Sequence, residues 1–141
     1  YHLCKKAENI YTRYADDLTF SGKCVTNSFV SIVEKIILEE GFKINGNKTH
    51  LFKRKGRRII TGISVNNSAP KIPREMKRDL RQQVYYILKH GIKSHMINRN
   101  IRDPFYIYSL YGKLTFWKWV EPQDSFLIRT MPQIQERLPR N

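Results

Sequence analysis

The stretch YTRYADDLTF, residues 11–20, sets two adjacent carboxylates, Asp16 and Asp17, in the middle of a strand-like run. Successive side chains of a strand point to opposite faces, so a regular strand cannot present both acids on one side. Aspartate is also depleted in strands. A tight turn resolves both conflicts. Ile10, Thr12 and Tyr14 alternate on the way in, and Leu18 and Phe20 on the way out. The pattern predicts two strands between Asn9 and Gly22, with the acids at the turn.

At such a tip, two like charges disfavour each other's ionised form unless a cation neutralises them. Magnesium does so with oxygen ligands. In phosphoryl transfer, two metals can clamp the attacking and leaving oxygens, which takes two or three converging carboxylates. One such cluster is visible in the sequence. A plain Asp-Asp turn without chemistry is the competing reading.

The surroundings are basic. Among 141 residues, 26 Lys and Arg face 12 Asp and Glu, a net charge of +14 and a pI near 10.0. That excess points to a polyanion, most commonly nucleic acid, rather than to a merely soluble basic surface. The charge is not a tail: residues 1–70 hold 12 cations and 6 acids, and residues 71–141 hold 14 and 6. Cys4 and Cys24 have no CxxC spacing and read as buried small residues in a reducing compartment. His90 and His95, five apart, do not share a helix face as a metal pair would. No signal peptide or membrane-spanning apolar run is apparent, so a cytoplasmic protein without a membrane partner is expected. The chain reads as the C-terminal part of something longer.

Residues 1–9 suggest the end of a helix. After the hairpin, Thr26, Asn27 or Ser28 can cap a helix with Phe29, Ile32, Val33, Ile36 and Ile37 on one face, stopped by Gly41. FKINGNKTHLF reads as strand, turn, strand, with Asn45-Gly46 as the turn. KRKGRR, residues 53–58, reads as the basic tip of a hairpin over 49–65, with IITGISV as its return strand. NNSAPKIP, residues 66–73, reads as a linker. Thereafter the periodicity is helical. REMKRDLRQQVYYILKHG puts Met76, Leu80, Val84, Ile87 and Leu88 on one face and Arg74, Lys77, Arg78 and Arg81 on another. PFYIYSLYGKLTFWKWV and SFLIRTMPQIQERL give two more helices, the last interrupted or kinked at Pro132. Tyr85, Tyr86, Trp117 and Trp119 can stack on bases or fill a core.

YTRYADDLTFSG resembles the catalytic YxDD box of reverse transcriptases, most closely the bacterial retron-type enzymes, with group II intron enzymes as relatives. GFKINGNKTHLF resembles the palm motif that follows. KRKGRRIITGISVN resembles the primer-grip hairpin, and YGKLTFWKWVEP a stretch of the thumb. Order and spacing agree across nearly the whole chain. The resemblance implies an α+β right-hand polymerase fold: the second half of the palm over 1–67, a linker over 68–72 and an all-α thumb of about three helices over 73–141.

It also implies roles. Asp16 corresponds to a metal ligand and Asp17 to its neighbour in the catalytic cluster, with two magnesium ions in the complete site. Tyr14 and Ala15 would lie beside the incoming nucleotide and primer end. Lys48 would lie near the nucleotide phosphates, as proton donor to pyrophosphate or as a simple phosphate contact. Lys53, Arg54, Lys55, Arg57 and Arg58 would serve the primer grip, and Arg74, Lys77, Arg78 and Arg81 the duplex. Implied partners are a structured non-coding RNA serving as template and primer, the RNA–DNA duplex, dNTPs, an effector protein in anti-phage defence, and the N-terminal fingers and palm half. That half carries a further Asp, so these residues alone are expected to be inactive. A non-catalytic RNA-binding module and a group II intron maturase are the alternatives.

Overall fold

The computed structural model describes residues 2–52, 56, 58–66 and 69–139. Among these residues it is α+β, with six helices and two small hairpins. The chain divides into two compact units, residues 1–61 and 62–141.

The first unit opens with helix α1 (His2–Lys6) and the hairpin of β1 (Ile10–Tyr14) and β2 (Asp17–Ser21). The strands pair antiparallel, from Ile10 opposite Ser21 to Tyr14 opposite Asp17, so the turn is Ala15-Asp16 and Asp17, expected in the turn, instead begins β2. Tyr11 stacks on Phe20 at 5.2 Å, and Phe20 meets the buried Phe29 of helix α2 (Asn27–Glu39) edge-on at 5.4 Å. One face of the ribbon is thus packed on α2. Gly22 closes the hairpin against Asn9, whose side chain is buried, and a Cβ at position 22 would overlap the Asn9 carboxamide. Only glycine permits that approach.

Helix α2 starts and stops as its sequence predicts. Thr26 Oγ1 accepts from Phe29 N at 3.3 Å. At the other end Gly41 N donates to Leu38 O and Phe42 N to Ile37 O, the paired bonds of a Schellman ending, with Gly41 at φ +81°. The apolar stripe is wider than its cover. Phe29 is buried and Val33 and Ile37 are half-buried, whereas Ile32 and Ile36 are exposed.

Three sequence expectations in this region are corrected. Residues 42–52 do not form strand, turn, strand. They run without a strand partner among the described residues, around a 3-10 turn (Gly46–Lys48). Asn45 explains it: its side chain accepts from Asn47 N at 3.1 Å and folds the backbone locally instead of leaving it free for a ladder. IITGISV is not one return strand either. It is broken into β3 (Ile59–Ile60) and β4 (Ile63–Ser64) by a turn at Thr61-Gly62. Both turn residues have positive φ, +47° and +82°, as in a type I′ hairpin turn. The boundary between the units falls in that turn. Finally, Cys24 is exposed; only Cys4 is buried.

The second unit is a helical bundle: α3 (Arg74–His90), α4 (Ile92–Asn98), α5 (Tyr106–Val120) and α6 (Ser125–Gln135). Four helices replace the expected three. Gly91, at φ +85°, ends α3 and restarts the chain as the seven-residue α4, too short to show a period of its own. The predicted face of α3 is the buried one: Leu80, Val84 and Ile87 join Leu110, Leu114 and Trp117 of α5 and Leu127 and Ile134 of α6 in one core. Helix α6 is not split; it runs through Pro132. Ahead of α3, Ser64 and Lys71 exchange two backbone bonds of 2.8 and 2.9 Å, which closes the linker into a loop.

Candidate active-site hairpin and basic helical surface

The β1–β2 register decides where the acids point. Cross-strand partners share a face. Tyr11 and Phe20 face α2, so the alternate pairs, Thr12 with Thr19 and Tyr14 with Asp17, lie on the opposite, open face. Tyr14 is 71% exposed there. Ala15 and Asp16 form the two-residue turn, with Ala15 at φ +50°. Positive φ at the first turn position suits the twist of a hairpin but is unusual for alanine. Arg13 steadies the turn by donating from Nε to Ala15 O at 2.7 Å.

Asp16 and Asp17 are exposed. Among the described residues neither is held in an ion pair, although the chain is strongly basic. Two adjacent hard oxygen donors fit a magnesium ion, which takes one or two carboxylates and completes its octahedron with water and substrate phosphate. They do not make a closed cage: no group of three His, Cys, Asp or Glu converges among the described residues.

The other predicted residues are more dispersed. Lys48 ends the 3-10 turn, exposed, on an element separate from the hairpin. Lys53, Arg54, Lys55 and Arg57 lie outside the described residues, and Arg58 is half-buried. On α3, Arg74, Arg78 and Arg81 are exposed and Lys77 is half-buried, and Lys77 and Arg81 are paired with acids of the helical unit. Lys77 Nζ binds Glu121 Oε2 at 2.5 Å and approaches Asp124 at 3.9 Å; Arg81 lies 3.7 Å from Asp124. Both cations also sit over the Trp117 ring, 5.3 Å from its centroid. Trp117 itself is fully buried and belongs to the core. Trp119, Tyr85 and Tyr86 remain exposed.

One polar network escapes sequence reasoning. His95 is buried, and its Nε2 lies 2.9 Å from Tyr106 Oη, which donates to Gln83 Oε1 at 2.6 Å. Burial, and then the charge of Arg99, lowers the His95 pKa; burial pushes the Tyr106 phenol up to about 12. His95, Tyr106 and Gln83 thus form a polar bridge between α4, α5 and α3. The sequence carries no signal for it, because α4 is too short to show which of its positions face inward.

A hairpin tipped by adjacent carboxylates is thus followed in the chain by a helical unit rich in Lys and Arg. No family model matches the chain. Individual relatives do. It is 38% identical to the retron Mx65 reverse transcriptase of Myxococcus xanthus over 126 residues, 87% of this chain and 27% of that protein. It is 31% identical to the retron Mx162 reverse transcriptase of the same organism, over 59% of this chain and 21% of that protein. Against the retron Ec86 reverse transcriptase of Escherichia coli it is 34% identical, over 55% of this chain and 25% of that protein. By sequence, the chain is a relative of the retron-type reverse transcriptases and spans about a quarter of their length. Among the described residues, no helix is long and apolar enough to cross a membrane.

Proposed function

We propose that this chain carries the catalytic hairpin and thumb of a retron-type RNA-directed DNA polymerase. The observation that carries the reading is the placement of Tyr14, Ala15, Asp16 and Asp17 on one exposed turn, in a chain related to retron reverse transcriptases. In this reading residues 1–67 belong to the palm, 68–72 to a linker and 73–141 to the thumb. Asp16 and Asp17 would hold magnesium, which would supply charge neutralisation for the phosphates and acidify the primer 3′ hydroxyl. In the complete enzyme a further carboxylate, from the other half of the palm, would join Asp16 and Asp17.

The chain's own groups position the substrates. Tyr14 presents its ring on the open face beside Asp17, where a primer end or nucleotide can rest against it. Ala15 keeps the tip free of bulk. The exposed Lys48 contacts nucleotide phosphate or returns a proton to pyrophosphate. Arg58 and the basic segment before it grip the primer backbone. Arg74 and Arg78 face solvent on α3 and meet phosphates of the RNA–DNA duplex, a contact that positions without reading sequence. Lys77 and Arg81 act at one remove, because their partners Glu121 and Asp124 hold α3 against the α5–α6 connection. A structured non-coding RNA as template and primer, and an effector protein in anti-phage defence, complete the proposal.

The test is primer extension on an RNA template by the intact protein. Magnesium-dependent incorporation of dNTPs is expected, and none from these 141 residues alone. Salt-dependent RNA binding without any incorporation would favour the alternative, a non-catalytic RNA-binding module.

A further inference from the structure

Between α3 and α6, on the outside of the helical unit, lies an open groove of about 360 Å³. Its floor is apolar: Val84, Leu88 and Phe126. The Thr130 hydroxyl beside them is already bonded to Phe126 O at 2.7 Å. Its rim is different in kind. Tyr85 is 54% exposed, and Lys89 and Arg129 are both exposed cations. Among the described residues no acid lines the groove.

The rim is also organised. Lys89 Nζ donates to Tyr85 Oη at 3.1 Å and lies 5.4 Å from the ring centroid. Tyr86 braces Tyr85 edge-on at 5.5 Å. An aromatic face held in place, an apolar floor and two flanking cations match a planar base joined to a phosphate. We propose that this groove binds a nucleotide unit of single-stranded nucleic acid, with the base against Tyr85 and the backbone phosphates on Lys89 and Arg129.

A duplex does not fit this chemistry, because its bases are stacked on one another and only phosphates would reach an apolar floor. An unpaired base has a free π-face for any sequence, so recognition depends on strandedness and not on base identity. The site deepens the polymerase reading, on which its biological use rests. It would hold an unpaired stretch of template or product.

The test is fluorescence anisotropy with the intact protein and three labelled probes: an oligothymidylate of about twelve nucleotides, an abasic strand of equal length, and an RNA–DNA duplex. Tyr85→Ala is expected to weaken oligothymidylate binding about tenfold, with Tyr85→Trp close to wild type. Its effect on the abasic strand and the duplex is expected to stay under about twofold. Lys89→Gln and Arg129→Gln are each expected to flatten the salt dependence by about 0.7 in log–log slope. Unchanged oligothymidylate affinity in Tyr85→Ala, or an equal loss on the abasic strand, overturns the proposal. Displacement of oligothymidylate by polyglutamate at equal charge also overturns it, in favour of an acidic protein segment. RNA-templated synthesis by the wild type, together with single-strand binding indifferent to Tyr85, rejects the groove alone. Tyr85-dependent binding in a protein without synthesis upholds the groove and rejects the polymerase reading.

Discussion

Tyr14 and Asp17 are cross-strand partners, one residue on each side of the Ala15-Asp16 turn, and both project from the ribbon face that α2 leaves open. An aromatic ring and a carboxylate are thereby locked side by side on an exposed surface. The lock is backbone register, so it does not depend on any bond between the two side chains. A one-residue slip would move Asp17 to the covered face. The turn is thus as much a part of the site as the acids.

The turn itself can be tested. Ala15 sits at φ +50°, where a branched side chain is strongly disfavoured. Ala15→Val is expected to destabilise the hairpin by about 1–2 kcal/mol, and Ala15→Gly to be neutral or slightly stabilising. Chemical denaturation of the two variants checks this.

Thr61 offers a second backbone test. It occupies the first position of a turn in which both residues have positive φ, and it is β-branched. Asn-Gly is the favoured pair for such a turn. Thr61→Asn is expected to raise stability by about 1 kcal/mol. A loss of stability would show that the Thr61 side chain makes a contribution larger than its strain.

Glu121 links three parts of the helical unit. It accepts from Ile72 N at 2.8 Å and from Lys77 Nζ, with both charged side chains only 17% exposed. Glu121→Ala strands a buried amide and a mostly buried ammonium, so a loss of about 2–3 kcal/mol is expected. Lys35 and Glu39 supply the contrast. They lie 3.8 Å apart, with side chains 78% and 62% exposed, and Glu39→Ala is expected to change stability by under about 0.5 kcal/mol. Thermal melts of the two variants should separate clearly.

His95 is expected to make the helical unit acid-sensitive. Its pKa is lowered from the ordinary 6.5, chiefly by burial, with Arg99 opposing protonation and Asp79 favouring it. The Tyr106 phenol and the Gln83 carboxamide complete its network, and Tyr86 stacks on its ring at 6.4 Å. The unfolded chain therefore binds the proton more readily than the folded one. Stability is fully present above about 6.5 and falls as pH drops below it, toward the depressed folded value. His95→Gln is expected to show a flatter stability profile between about pH 7.5 and 5.5. An equally steep profile would assign the acid sensitivity to other groups.

Much of this architecture is legible in the sequence because it is locally encoded. Alternation and the awkward Asp16-Asp17 pair dictate the hairpin. Thr26 and Gly41 bound α2, and the spacing of Leu80, Val84 and Ile87 gives α3 its buried face. What is not legible depends on contacts far apart in the chain. Nothing near Lys77 reveals that Glu121, 44 residues away, engages it, and Trp117 looks the same in sequence whether buried or exposed. Asn45 diverts the backbone into a 3-10 turn where alternation suggests strands. The break at Thr61-Gly62 has a visible cue, a residue pair ending in glycine, masked by the β-branched residues around it. Gly91 likewise marks the start of α4, but seven residues carry too little pattern to show a helix.

We propose that Asp16 and Asp17 act in metal-dependent DNA synthesis and not in folding or RNA capture. This claim is tested most directly by Asp16→Asn and Asp17→Asn in the intact protein, with cDNA synthesis and RNA affinity measured on the same preparations. Both acids are exposed and unpaired among the described residues, so neither change should disturb the fold. The expected result is a loss of synthesis of about 10³-fold or more, the scale of removing a principal electrostatic element, with RNA affinity within about twofold. Synthesis that persists in either variant, or RNA affinity that falls in step with it, would contradict the claim.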